Sequence, residues 1–402
     1  MGAFTTTQVA ALETADLVAL GTSGLRTWNS TQVAALTSSE VAALSSAQVG
    51  SLTSVQVTGL NSSQLGAMET GDLRAMSTST LRVLASDQLG GFSTDQMSAL
   101  TSIQVAALTT LQVSQLGSTS LNALTSTQFA ALGTQQLGAL TTSQVSTLET
   151  ADLVAIGSTG LRALNSGHIA ALSTDELVAL SSAQVGSLTS VQMAGLNSVQ
   201  IAAIETGDLR ALSTTTLRGL GTDQVNAFTT DQMAALTTTQ VAAITTLQVG
   251  NLGSTTLNAL TSSQFAALTT QQLGALTTSQ VSTLDTADLV ALGTVGLRAL
   301  NSGQVAAMTS TELAALSSVQ VGSLTSTQVS GLNSVQIEAF ETGDLRAMST
   351  TTLRALSTEQ ANALTTDQMG ALLTSQVQAL SSLQLSNLGS TTLNALTSSQ
   401  FA

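Results

Sequence analysis

Cysteine, proline, lysine and tyrosine are all missing from this 402-residue chain, histidine and tryptophan occur once each, and charged residues make up only 8%. Without cysteine there is no disulfide framework and no thiolate metal site, so sulfur gives no reading of the redox compartment. Without proline, charge runs or any shift of composition, nothing marks a domain boundary, and residues 1–402 read as a single continuous repeat array. The nine cations are all Arg and stand against 23 acids, for a formal net charge of −14. That balance excludes nucleic acid and anionic membrane surfaces, which need clustered Lys or Arg.

Long apolar runs are missing too. Mean hydropathy is +0.34, but Ser, Thr or Gln breaks the apolar residues every few positions, far short of the roughly 18 in a row that a span requires. No transmembrane segment is expected. Met1, Gly2 and Ala3 run directly into the first repeat at Phe4 with no charged start or apolar signal core, and this start reads as a boundary within a longer parent chain. No phosphate loop, nucleophile elbow or HExxH occurs, so no catalytic residue, cofactor or enzymatic activity is expected.

What is present is a period of eight. Counting from Phe4 and labelling positions a to h, the series Phe4, Leu12, Leu20, Trp28, Leu36 continues to Leu388 and Leu396 without a slip. Every a residue is large and apolar. Position f, from Val9 and Leu17 to Leu393 and Phe401, is Val, Leu, Ile, Met or Phe except at Ala361. Position c is always Ser or Thr, e is mostly Gln, and h is usually small. One continuous helix cannot use this pattern, because a and f lie about 140° apart and the repeat drifts about 80° each time. A strand fails because a and f have opposite parity.

A short helix restarted in every octad fits better. With b as N-cap, Gln at e falls on N3 and completes a capping box, while a and f form the hydrophobic staple. The constant hydroxyl at c argues instead for an N-cap at c, with Gly or Asn at b closing the previous helix, so the cap register stays open by one residue. Burying a and f yields about 1.5 to 3 kcal/mol per side chain, against about 12 kcal/mol to order eight residues. A lone octad cannot fold, and stability has to come from stacking. The expected fold is therefore all-α, a solenoid or superhelix of tandem octads, each a short capped helix, with a β-solenoid as the alternative. Leu52, Val57, Leu140, Val145, Leu188, Met193, Leu276 and Val281 are expected in its core.

A longer period lies above the octad. LETADLVA at Leu12 recurs at Leu148 and as LDTADLVA at Leu284, so the long repeat is seventeen octads, in copies of about 12–147, 148–283 and 284–402. Octads lacking an amide or acid at e, such as those starting at Leu20, Met76 and Leu116, are seven, five and five octads apart. That spacing suggests coils of about five to six octads, three coils to the long repeat.

Candidate chemistry is sparse. His168 stands where the other copies have Gln32 and Gln304, and reads as a surface substitution for Gln with no partners for a catalytic or metal role. Trp28 replaces Leu164 and Leu300 and reads as core filling. The acid pairs Glu13/Asp16, Glu69/Asp72, Glu149/Asp152, Glu205/Asp208, Asp285/Asp288 and Glu341/Asp344 sit at helix starts, where the helix dipole favours anions. Pairing with Arg is the second reading. A calcium site is the third, with Glu69, Asp72, Glu205, Asp208, Glu341 and Asp344 as its candidates, although no EF-hand or nonapeptide pattern is present.

LTTSQV at Leu140 and LTSVQV at Leu52 resemble the LTxxQ motif of the bacterial periplasmic stress proteins of the CpxP/Spy type. Those proteins are charged and carry few copies, so their chaperone function is not carried over. Across its whole length the chain is similar to the repetitive regions of giant bacterial secreted or surface proteins, adhesins and filament formers among them, and that resemblance implies an extracellular location. The expected function is a structural rod, stalk or filament module; the alternative is a binding solenoid for glycan, Ca²⁺ or a hydrophobic ligand. Neither Phe4 nor Leu396 is flanked by a polar capping unit, so self-association end to end or laterally is expected.

Overall fold

A computed structural model describes residues 2–401. Among them are 49 short helices and no strand, so the chain is an all-α repeat solenoid in which each octad but the last, at Leu396, contributes one helix. The helices run for four to seven residues, too short to persist alone. Two compact units divide the chain, Met1–Leu212 and Ser213–Ala402.

The octad restarts its helix because the backbone leaves the helical region at two successive positions. Leu52 (a) has φ −60° and ψ 133°, and Thr53 (b) has φ −84° and ψ 160°. Ser54 (c) is then the first helical residue. The N-cap is therefore b. At several octads the hydroxyl at c instead reaches the following coil. Ser54, Ser158 and Ser326 donate from Oγ to the carbonyls of Ser79, Ala183 and Thr351, each 25 residues ahead.

Coils close sooner than the sequence spacing suggests. Within each unit the characteristic packing is of a helix against the third helix before or after it, and hydrogen bonds between coils link residues 25 to 31 apart. A coil thus holds between three and four octads, and the expectation of five to six is overturned. The octads that prompted it mark places where the polar residue at e is replaced, and have no bearing on the turn. Within that range, the seventeen octads of the long repeat divide into a whole number of coils only when that number is five.

Positions a and f of successive octads fill a shared interior. Leu52, Val57, Leu140, Val145, Leu188, Met193, Leu276 and Val281 are all buried, as are Trp28 and Ala361. Three joints depart from the rule. At Leu20, Ile156 and Leu292 the a residue stays helical, and the next residue, Gly21, Gly157 or Gly293, takes φ of 62° to 64°. Side chains rarely adopt that conformation, which explains glycine at b. The helical a residue swings over e, where a Cβ on Gly160 would stand 2.7 Å from Ile156 Cβ and 2.9 Å from Leu137 Cδ1.

Candidate functional site: the buried polar ladder

The polar residue at e is the one chemically distinctive feature that every coil shares. Gln56 is typical. Its Oε1 accepts from the Thr53 backbone N–H at 2.9 Å, while its own N–H donates to Thr53 Oγ1 at 3.3 Å, closing the capping box. Its amide Nε2 points the other way and donates to the carbonyls of Leu25 at 2.9 Å and Trp28 at 2.8 Å, in the preceding coil. Leu25 is the last residue of its helix and Trp28 lies in the link that follows, where intrahelical partners run out. Gln144 repeats the pattern with Thr141, Val113 and Leu116. One buried side chain thus starts its own helix and fastens it to the coil behind.

Only the first half of this role is evident from the capping-box spacing. The second half has a signal in the sequence: Glu closes a capping box as well as Gln does, so the strong preference for Gln at e implies a second duty that needs a donor.

The replacements at e follow from that duty. Thr80 keeps one of the two bonds between coils, Oγ1 to the Leu52 carbonyl at 3.3 Å. Glu176 accepts from Ser173 N and Oγ through Oε2, each at 2.6 Å, and leaves Oε1 buried without a partner where the Gln amide would donate. Asp is shorter and does something else. Asp72, Asp152, Asp208, Asp288 and Asp344 each accept from a Ser hydroxyl 26 residues earlier, Ser46, Ser126, Ser182, Ser262 and Ser318, at 2.6 to 3.0 Å.

The six acid pairs therefore separate. Their b members, Glu13, Glu69, Glu149, Glu205, Asp285 and Glu341, are exposed, and apart from Asp16 their e members are buried in the ladder. Burial raises the carboxyl pKa of Asp152 and Asp288 above its ordinary value; the Ser126 and Ser262 hydroxyls oppose the rise, and the charges of Glu149 and Asp285 add to it. Among the described residues, no three His, Cys, Asp or Glu side chains come close enough together to hold a metal ion. The calcium candidates Asp72, Asp208 and Asp344 are the Ser-bonded ladder carboxylates.

His168 is a correction. It is buried, 2% exposed, because it occupies the same e slot. Nδ1 accepts from the Asn165 backbone N–H at 3.3 Å, Nε2 lies 3.2 Å from Asn165 Nδ2, and the Leu140 carbonyl in the preceding coil acts on the ring. A neutral imidazole has one acceptor and one donor, as the amide does, and so stands in for Gln inside the ladder. Burial lowers its pKa, with the Leu140 carbonyl opposing. Trp28 lies in the core with its Nε1–H buried and unpartnered.

Among the described residues, no helix is long and apolar enough to cross a membrane. Comparison with curated proteins finds no match. A family model described as the ALTTAQ repeat matches residues 9–46, 65–102, 113–150, 145–180, 167–198, 201–238, 241–278, 281–318 and 337–374. Its six letters correspond to positions h to e of the octad, as in ALTTTQ at Ala235 to Gln240.

Proposed function

Because the chain belongs to the ALTTAQ repeat family, we propose that it is a structural repeat protein, a module that supplies extension and surface presentation and carries out no catalysis. The observation that carries this reading is the Gln ladder. The side chain that starts each helix also fixes the coil behind it, as Gln56 does to Trp28, so the chain's most distinctive polar chemistry is spent on joining coil to coil. The tandem, nearly uncharged octads and the long near-identical repeats support a bacterial secreted or cell-surface setting, in an adhesin-like or filamentous parent.

Removal of one long repeat in register, residues 148–283, tests the proposal. A structural array loses length in proportion and keeps its helical signal per residue and its melting temperature within a few degrees. Loss of cooperative folding would contradict it. Self-association, end to end or lateral, belongs to the same proposal, and sedimentation velocity across a concentration series tests it: a single species at every concentration removes it.

A further inference from the structure

The ladder accounts for the buried polar groups and leaves one exposed feature unexplained, a groove that recurs in both units. Near Arg82 a groove of about 520 Å³ is lined by Arg82, by Ala106–Thr110 and by Gly133–Gln136. These segments belong to successive coils, since Arg82, Thr109 and Gln136 are evenly spaced along the chain at one coil each. In the second unit the equivalent residues, each seventeen octads further on, form a matching groove around Arg218, with a volume of about 340 Å³ and with Thr270, the counterpart of Thr134, outside its lining. The one lining position that differs in chemical type is Gly133, which becomes Thr269. A Cβ on Gly133 would meet only Gln136 Oε1, at 3.5 Å, so a side chain there enters open space and narrows the groove.

In a chain of net charge −14, the only charged group lining either groove is the guanidinium. Arg82 and Arg218 are exposed, and neither guanidinium has a hydrogen-bonding or ionic partner among the described residues. The rest of the lining is neutral and mixed in hydrogen-bonding sense: the hydroxyls of Thr110 and Thr134, the amide of Gln135, and backbone at a helix junction.

We propose that these grooves bind an acidic saccharide, one sugar carboxylate to each Arg. The planar guanidinium pairs two N–H groups with a carboxylate, and the hydroxyl and amide lining supplies donors and acceptors for ring hydroxyls. A single cation per groove matches one carboxylate per few hydroxyls and is too little for a polyphosphate. The volumes lie at the lower end of small-molecule sites. This proposal goes beyond the structural role and does not depend on it.

Titration of the full chain with trigalacturonate at low ionic strength, followed by calorimetry, tests it. Two sites per chain are expected. Arg82→Gln removes one, the double variant with Arg218→Gln removes both, and Arg26→Gln, a cation outside the grooves, leaves both; circular dichroism identical to the parent's shows that each variant is folded. Gly133→Thr lowers affinity at the first site at least threefold. Several outcomes overturn the proposal: no binding at millimolar trigalacturonate, equal binding of uncharged maltotriose, equally strong competition by acetate, or retention of both sites in the double Arg variant.

Discussion

Gln56 Nε2 donates to the Trp28 carbonyl at 2.8 Å across 28 residues of sequence, while Oε1 of the same side chain accepts from Thr53 N within its own octad. Helix initiation and coil stacking are thus one interaction. The octad needs no other polar residue in its interior.

Exchange of Gln and Glu at e has opposite effects at different sites. Gln144→Glu keeps an acceptor for Thr141 N and sets a carboxylate oxygen against the Val113 and Leu116 carbonyls. It costs about 1 to 3 kcal/mol, the penalty of a buried polar group left unpaired. Glu176→Gln gives the partnerless Oε1 position a donor and gains about 0.5 to 1.5 kcal/mol. Urea unfolding of both variants checks the pair; a loss of stability in Glu176→Gln would show that the carboxyl is not a defect of the ladder.

His168 works in the ladder only as a neutral ring, and its folded pKa is lowered below the ordinary 6.5. Between the lowered value and about 6.5 the unfolded chain binds more protons than the folded one, so stability rises with pH across that window. Stability from this group is complete above about 6.5 and is lost as pH falls toward the folded pKa. His168→Gln flattens this dependence, measured as the difference between the two melting-temperature profiles from mildly acidic to neutral pH.

Asp152 and Asp288 have the opposite sign. Their folded pKa values are raised above 3.8, so the native state binds more protons from 3.8 up to the raised value, and stability falls as pH rises through that window. Asp152→Asn with Asp288→Asn keeps an acceptor for Ser126 and Ser262 and removes the penalty. The double variant melts higher than the parent at neutral pH, and the difference vanishes in acid below the ordinary carboxylate range.

Core and joint residues give the largest effects. Leu188→Ala removes a buried a side chain and costs about 2 to 5 kcal/mol. Gly157→Ala forces a Cβ onto a residue at φ 64° and costs about 1 to 2 kcal/mol. Gly160→Ala also drives a Cβ against Ile156, which costs about 1 to 3 kcal/mol by overpacking. Chemical denaturation ranks the three.

Much of this fold was legible because the octad pattern is local. Leu at a, Val at f and Gln at e name the staple and the capping box from spacing, and the buried a and f positions follow; the constant hydroxyl at c left the cap open between b and c until the backbone of Leu52 and Thr53 placed it at b. The turn was not legible, because it depends on which carbonyl Gln56 Nε2 reaches in the coil behind, and no local pattern encodes that distance. His168 was misplaced for the same reason: until e is known to be buried, Gln there looks like a solvated residue and so does its replacement. The joints at Gly157 and Gly160 left a trace, an octad without an amide at e, but the positive φ behind it emerges only when the Ile156 side chain is seen to cover that slot. The grooves at Arg82 and Arg218 bring three coils together and were out of reach without the turn.

The most direct test of this account is a disulfide across one coil. Ser254 and Thr283, 29 residues apart, hold their hydroxyl oxygens 3.1 Å from each other, and the chain has no other cysteine to compete. With Ser254→Cys and Thr283→Cys, mild oxidation should close the bond rapidly and nearly completely, whereas Ser254→Cys with Thr294→Cys, five octads apart, should stay reduced as a monomer. Cross-linking of the second pair in place of the first would contradict coils of three to four octads and the ladder built on them.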